Sequence, residues 1–254
     1  GTLISDVAGE ELRIGGSTWP ASQTLQATNG AIISMFGIHD NAGGSFVLDS
    51  ALDNVVLLSG GRLANTTVNA TAGTAIAPLG STVLDNATLN SFLQLNNGSL
   101  VAVINGLTVN GTAELNAPSS PTGFQINGTQ SVLGNLNVVF DGTANAVITE
   151  PLFQPSNGSV VTVGPDVRFE GGKGTIVIVS ATLILDGSEV DANVSGEPLR
   201  LIAGTWSAAI ALRASNGGIL ELGGTLNNGG GAFTLDAPTG TVRTTGVTSF
   251  LDAV

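Results

Sequence analysis

The amino-acid sequence predicts an all-β fold, and specifically a single-domain parallel β-helix, or β-solenoid, with almost no helix. Glycine-containing turns recur from one end of the 254 residues to the other, with 36 glycines in all. Short runs of branched aliphatic residues, such as 175–179, lie between these turns and favour a pleated, buried surface. No stretch longer than about ten residues keeps helical spacing with caps.

Asn-Gly pairs are the commonest turn signal, because both residues tolerate positive φ. They begin at Asn29, Asn97, Asn105, Asn110, Asn127, Asn157, Asn216 and Asn228. The same pairs also favour two-residue hairpins, so an antiparallel sandwich or barrel is the alternative all-β fold. Unbroken apolar runs such as 176–179 suit strands that are buried between neighbours, and they favour the solenoid.

The individual strands are predicted from alternating apolar and polar residues bounded by Gly, Pro or Asn. The predicted strands lie at 2–7, 12–14, 31–38, 45–52, 54–58, 62–68, 75–77, 81–84, 92–95, 99–104, 107–109, 160–163, 167–169, 175–179, 182–186, 199–202, 219–222 and 233–235. The run 208–213 is ambiguous because alanine favours helix, and a buried strand is expected there.

One continuous domain over residues 1–254 is predicted, since no proline run, charge block or shift in composition marks a linker. Irregular excursions are expected near 118–123 and 150–158, where four of the nine prolines lie. No motif of fixed length recurs, which a three-faced parallel β-helix permits because its loops vary while its strands stay in register. With roughly 20–25 residues in each coil, about ten to twelve coils are expected.

Composition excludes several function classes. Only 10% of the residues are charged, and 19 acidic against seven basic residues give a net charge of −12. Nucleic acid is therefore not an expected partner, because phosphate binding needs clustered Lys and Arg. No apolar run approaches the ~20 residues that span a bilayer, so no membrane insertion is expected in this segment. The absence of cysteine excludes disulfides and thiolate metal sites, and no cofactor is expected.

Titratable groups that could support catalysis are scarce, so no catalytic residue is predicted and the chain is not expected to be an enzyme. The sequence contains no Gly-x-Ser-x-Gly nucleophile elbow that could supply a serine to the single histidine, His39. His39 is expected to be a turn residue. Asp186, Glu189 and Asp191 form the densest acidic group. They are weak candidates for calcium ligands, and a solvated loop is the default expectation for them.

Eight Asn-x-Ser/Thr sequons are candidate glycosylation sites if the chain passes through a glycosylating secretory route. Their asparagines are Asn65, Asn69, Asn86, Asn97, Asn110, Asn127, Asn157 and Asn193.

The two tryptophans are the candidates for an aromatic binding platform, whereas no threonine platform is expected. Trp19 and Trp206 are the candidates for stacking on a sugar ring, and packing in the core or at an edge is the alternative for each. An ice-binding face would need ranked Thr-x-Thr motifs, and neither Thr241, Thr244 and Thr245 nor Thr66 and Thr67 are expected to form such a ladder.

The segments Gly218–Leu226, Gly174–Ile178 and Asn97–Leu100 resemble the rungs of bacterial autotransporter passengers and filamentous-haemagglutinin-like surface proteins. The resemblance lies in the general pattern of short apolar runs between glycine and asparagine turns, not in one diagnostic motif, and it covers nearly the whole chain. It implies a secreted right-handed parallel β-helix that serves adhesion, display or fibre building. It carries over no functional residue.

Three function hypotheses follow. The first is a non-catalytic extracellular or cell-surface solenoid, a subunit or segment of a filament, surface layer or adhesin. It would assemble with itself through strand edges at the solenoid ends, with surface glycans as a further partner. The second is a polysaccharide lyase or glycoside hydrolase that uses Asp186, Glu189 and Asp191 as its acids. The third is a glycan-binding module that uses Trp19 or Trp206.

Overall fold

The computed structural model describes residues 1–18, 23–49, 55–70, 75–141, 151–177, 181–203, 210–227 and 233–251. Within these ranges it contains 28 β-strands and no helix, so the predicted all-β fold is confirmed. No segment of the described chain forms a helix with the length and apolarity that a membrane crossing requires.

The strands form two sheets. The larger sheet contains β1 (Thr2–Ser5), β3 (Ser17–Thr18), β4 (Gln23–Ala27), β6 (Ile38–Asp40), β7 (Ser45–Asp49), β9 (Arg62–Ala70), β11 (Ser81–Asn90), β13 (Leu100–Val109), β15 (Thr122–Ile126), β16 (Gln130–Leu133), β18 (Pro151–Pro155), β19 (Val160–Val163), β21 (Gly174–Val177), β22 (Thr182–Leu185), β24 (Pro198–Ala203), β26 (Ile219–Asn227) and β28 (Thr241–Leu251). The smaller sheet contains β2 (Glu11–Ile14), β5 (Ile32–Met35), β8 (Val55–Ser59), β10 (Ala75–Leu79), β12 (Phe92–Leu95), β14 (Gly111–Asn116), β17 (Leu136–Asp141), β20 (Arg168–Gly172), β23 (Glu189–Ala192), β25 (Ile210–Ala214) and β27 (Phe233–Asp236).

Every strand pairing among the described residues is parallel, and the chain winds as a β-solenoid. The antiparallel alternative was wrong. At Asn29-Gly30 and Asn216-Gly217 both residues have positive φ, as in a hairpin turn, yet these turns join strands that pair with other coils. An Asn-Gly pair thus specifies a sharp turn, but it does not determine whether the two strands that it joins pair with each other.

Each coil has three faces. The chain runs from the first face (β1, β4, β7) to the second face, which is the smaller sheet, and then to the third face (β3, β6). The long strands β9, β11 and β13 pass from the third face into the first face of the next coil, so the two faces form one sheet. These strands bend at Asn65, Asn86 and Asn105, which have φ of 47°, 50° and 57°. Asparagine is among the few residues that adopt this left-handed conformation readily.

Coil length varies while the register of the strands is kept. On the second face Glu11 pairs with Ile32, Ala75 with Phe92 and Asn137 with Arg168. The corresponding intervals are 21, 17 and 31 residues. Coils of such different lengths can share one register because a longer connection adds little to the free energy of closing a loop.

The two segments expected to be irregular differ. Residues 117–121 join β14 to β15 outside both sheets, whereas Pro151–Pro155 form strand β18, which pairs with β15. Residue 150 lies outside the described residues. Ile210–Ala214 of the ambiguous run 208–213 form strand β25, and residues 208 and 209 also lie outside the described part.

Inward-facing aliphatic and aromatic side chains fill the shaft of the solenoid. In its middle, Phe124, Phe140, Phe153 and Phe169 are each at most 2% exposed. The Phe169 ring lies 5.0 Å from the Phe153 ring in an edge-to-face arrangement and 6.4 Å from the Phe140 ring. Such aromatic pairs contribute about 0.5–1.5 kcal/mol beyond the burial of their area.

Replacement of Phe169 by alanine should therefore lower the free energy of unfolding by about 3–5 kcal/mol, because it opens a cavity beside the rings of Phe140 and Phe153. Urea denaturation followed by circular dichroism measures the loss. The matched control is Phe36→Ala, since Phe36 is 45% exposed and should change stability far less. Equal losses from both variants would contradict this account of the core.

Candidate functional site: polar ladders on the outer faces

All seven basic side chains lie within 3.9 Å of a carboxylate, and most of these ion pairs join adjacent coils. The pairs are Arg13 with Glu11, Arg62 with Asp85, Arg168 with Glu170, Glu189 and Asp191, Lys173 with Glu197, Arg200 with Glu221, Arg213 with Asp236, and Arg243 with Glu221. The cations therefore hold the scaffold together, although single exposed pairs contribute only about 0–1 kcal/mol each.

The densest charge cluster lies on the second face around Arg168. Its Nη2 is 3.0 Å from Asp191 Oδ2 and 3.3 Å from Glu170 Oε2, and its Nε is 3.9 Å from Glu189 Oε2. Asp191, whose side chain is 3% exposed, also accepts a hydrogen bond from Ser215 Oγ at 2.9 Å. This arrangement ties together the coils that contain β20, β23 and β25.

The three weak calcium candidates are thus not brought together as a metal site. Asp186 lies in an exposed turn after β22, whereas Glu189 and Asp191 lie in β23 and contact Arg168. In the described part of the chain no three carboxylate or imidazole groups are arranged to hold a metal ion. The positive charge of Arg168 occupies the place beside Asp191 that a cation would take.

A second charged ladder lies on the third face, where Glu221 sits between Arg200 and Arg243 in successive strands. Arg200 Nε donates to Glu221 Oε2 at 2.7 Å, and Arg243 Nε donates to Glu221 Oε1 at 2.8 Å. Burial alone would raise the pKa of Glu221, but hydrogen bonds from Arg243 and Arg200 outweigh it, so the pKa is lowered. The carboxylate therefore stays ionised while only 4% of the residue is exposed.

Asparagine and aspartate side chains form further ladders at the bends. Asn86 Nδ2 donates to Asn65 Oδ1 at 3.0 Å, and Asn65 Nδ2 donates to Asp40 Oδ1 at 3.3 Å. Asn105 Nδ2 donates to Asp85 Oδ1 at 2.7 Å. Hydrogen bonds from the Ala42 backbone N–H and from Asn65 lower the pKa of Asp40.

The first face carries two columns of uncharged polar residues, one of threonine and one of asparagine. The columns consist of Thr67, Thr88 and Thr108 beside Asn69, Asn90 and Asn110. Asn110 Nδ2 donates to Asn90 Oδ1, and Asn90 Nδ2 donates to Asn69 Oδ1, each at 2.7 Å. Hydroxyl and amide groups thus repeat about every 4.8 Å along the solenoid.

Thr67 therefore belongs to a column of single threonines, each followed two residues later by asparagine, which differs from a ranked Thr-x-Thr face. Its partners, Thr88 and Thr108, follow at intervals of 21 and 20 residues. These unequal intervals hid the column from a search for a motif of fixed length.

The sequon asparagines fall into two groups. Six of them take part in hydrogen bonds of their side-chain amides with neighbouring coils: Asn65, Asn69, Asn86, Asn97, Asn110 and Asn193. The other two lie at or beside turns, with Asn157 exposed and Asn127 half-buried. Glycosylation of all eight stays a prediction, and the exposed turns are the sterically open positions. Trp19 and Trp206 lie outside the described residues.

His39 was expected in a turn, but it lies in strand β6 with 1% of its surface exposed. It occupies an interior position between Ser17 and Leu63, and its Nε2 is 3.0 Å from the Phe36 carbonyl oxygen. Its neighbour Ile38 is 59% exposed. Burial lowers the pKa of His39, although backbone hydrogen bonds at Phe36 and Ile14 oppose the shift.

A scan against protein-family models found no matching family, and searches of curated proteins and of solved structures found no match. The class that the coordinates establish is a parallel β-solenoid. The resemblance to autotransporter passengers and haemagglutinin-like proteins is therefore supported at the level of the fold alone.

Replacement of Glu221 by glutamine should destabilise the protein by about 1–3 kcal/mol at neutral pH, because it leaves two arginines without their shared carboxylate. Folding lowers the pKa of Glu221. The stabilisation by ionised Glu221 is therefore fully present above the pKa of an unfolded glutamate, about 4.3, and it is lost as the pH falls through the pKa of Glu221 in the folded protein. Denaturant unfolding from pH 7 to pH 3 should show the difference between wild type and variant shrinking. Asp166→Asn, at an exposed turn, is the control. A difference that does not depend on pH would contradict this role.

The stability of the protein should also fall as the pH decreases from about 7.5 to 5.5, because unfolded His39 takes up a proton near pH 6.5 and folded His39 resists it. In the variant His39→Leu, which matches the aliphatic residues of the same column, the unfolding midpoint should be nearly constant over this range. An equally steep decline in the variant would show that another group is responsible.

Proposed function

We propose that this chain is a non-catalytic structural or adhesive β-solenoid of the cell surface or extracellular space, serving as a segment or subunit of a filament, surface layer or adhesin. The observation that supports the proposal is that all seven basic side chains form ion pairs with carboxylates of the same chain. An enzyme that acts on acidic glycans needs cationic groups to bind the substrate and to abstract a proton, whereas here six of the seven basic side chains join adjacent coils and Arg13 pairs within its own strand.

The repeating outer faces favour the adhesive part of this proposal. The columns of Thr67, Thr88 and Thr108 and of the asparagines beside them present uncharged donors and acceptors at one constant period. An extended hydroxyl-rich polymer, such as a surface glycan, can use several of these groups at once. The multiple weak contacts then add up along the polymer.

Self-assembly is the second part of the proposal, because the end strands of a solenoid leave unpaired backbone groups that invite strand addition. A head-to-tail contact between identical chains does not close on itself, and it propagates into a fibre.

Purified protein of these 254 residues should therefore form linear particles whose length grows with concentration. Size-exclusion chromatography with light scattering and negative-stain electron microscopy measure this growth. A strictly monomeric sample at high concentration would contradict assembly. Cleavage of a uronate polymer that is lost in Asp191→Asn, with the fold intact by circular dichroism, would contradict the non-catalytic assignment.

A further inference from the structure

The two ends of the solenoid expose apolar residues that inner coils bury. In the first coil Leu3 is 39% exposed, although its register partner Leu25 is only 1% exposed. In the last coil Leu235 is 51% exposed, although its register partner Leu212 is only 1% exposed. Leu235 therefore occupies an interior position that lacks a covering coil. Within the described residues, the outer edges of β2 and β27 pair with no strand.

The charges beside these apolar residues are of opposite sign. On the second face Asp191, Arg213 and Asp236 occupy successive positions of one outward column, so the charge alternates over these last three strands, whereas Glu170 and Asp191 before them are both acidic. Asp236 ends this column with its side chain 57% exposed and 3.9 Å from Arg213 Nε. At the other end of the same face Arg13 lies between Leu12 and Ile14, with its side chain 72% exposed, and its one carboxylate partner among the described residues is Glu11 of the same strand.

Strand alternation limits how these ends can meet. A second β2 added in parallel to β27 keeps its apolar residues inside only if Leu12 or Ile14 lies above Leu235. With Leu12 above Leu235, Arg13 lies directly opposite Asp236. With Ile14 above Leu235, Arg13 lies diagonal to Asp236, within the reach of a long side chain. Both registers continue the alternating column.

We propose that a second copy of this chain docks head to tail, with its β2 extending the second face beyond β27 and its Arg13 paired with Asp236. This inference rests on the proposed self-assembly. It adds that the copies meet head to tail and that the Arg13–Asp236 pair selects this orientation. Contact between two C-terminal ends is disfavoured in comparison, because it places Asp236 near Asp236 and supplies Arg13 to neither.

The experiment uses two charge reversals, Arg13→Asp and Asp236→Arg, and the double variant that carries both. Each single variant should raise the concentration needed for half-maximal assembly by about tenfold or more, since like charges then face each other across the contact. The double variant restores an opposite pair with the net charge of the wild type, and it should regain most of the lost affinity. Light scattering over a concentration series measures all four proteins, and thermal melting confirms that each is folded.

The control Asp166→Arg makes the same change in net charge as Asp236→Arg at an exposed turn far along the chain from both ends, and it should assemble like the wild type. A wild-type sample that never assembles would overturn the proposed self-assembly together with this inference. Assembly that neither single reversal weakens, that the double variant fails to regain, or that stops at a closed dimer would overturn the head-to-tail pairing alone.

Discussion

In-register parallel stacking of one coil on the next is the interaction on which the rest of this structure depends. It satisfies the backbone N–H and C=O groups of every inner strand, and it places chemically similar side chains above one another about every 4.8 Å. The interior columns become a continuous apolar shaft, and the outer columns become ladders of amides, hydroxyls and alternating charges. A change in one coil is felt mainly by its two neighbours, because contacts in such an array are between adjacent coils.

This stacking determines the structural role of the few charged residues, because it brings charged side chains of adjacent coils into contact. Arg168 contacts carboxylates of two strands, and Glu221 lies between arginines from the coils on either side of it. These groups connect neighbouring coils. The uncharged columns on the first face are the part of the surface to which the proposed contact with an extended polymer is assigned.

Much of the fold could be predicted from the sequence because local chemistry determines it. Gly and Asn mark the corners, and branched aliphatic residues mark the strands, whatever lies next to them. The site was harder to predict, because its ladders join residues 20–25 positions apart at intervals that vary from coil to coil. Asp191 was identified as part of an acidic group, but its partners Arg168 and Ser215 became evident only from the register. Ile38 and His39 show the same limit, since hydropathy predicts the opposite burial for each.

The sequence by itself determined that this is an all-β chain of short strands and tight corners with sparse charge, because turn chemistry and β-propensity act within a few residues. The parallel β-helix was also predicted, from the unbroken apolar runs, but only the tertiary structure excluded hairpins, and it alone showed which strands bend from one face into the next and which side chains share a column. Those features depend on how many residues each loop inserts between faces, and a shift of a single residue in a strand would exchange its inward and outward side chains.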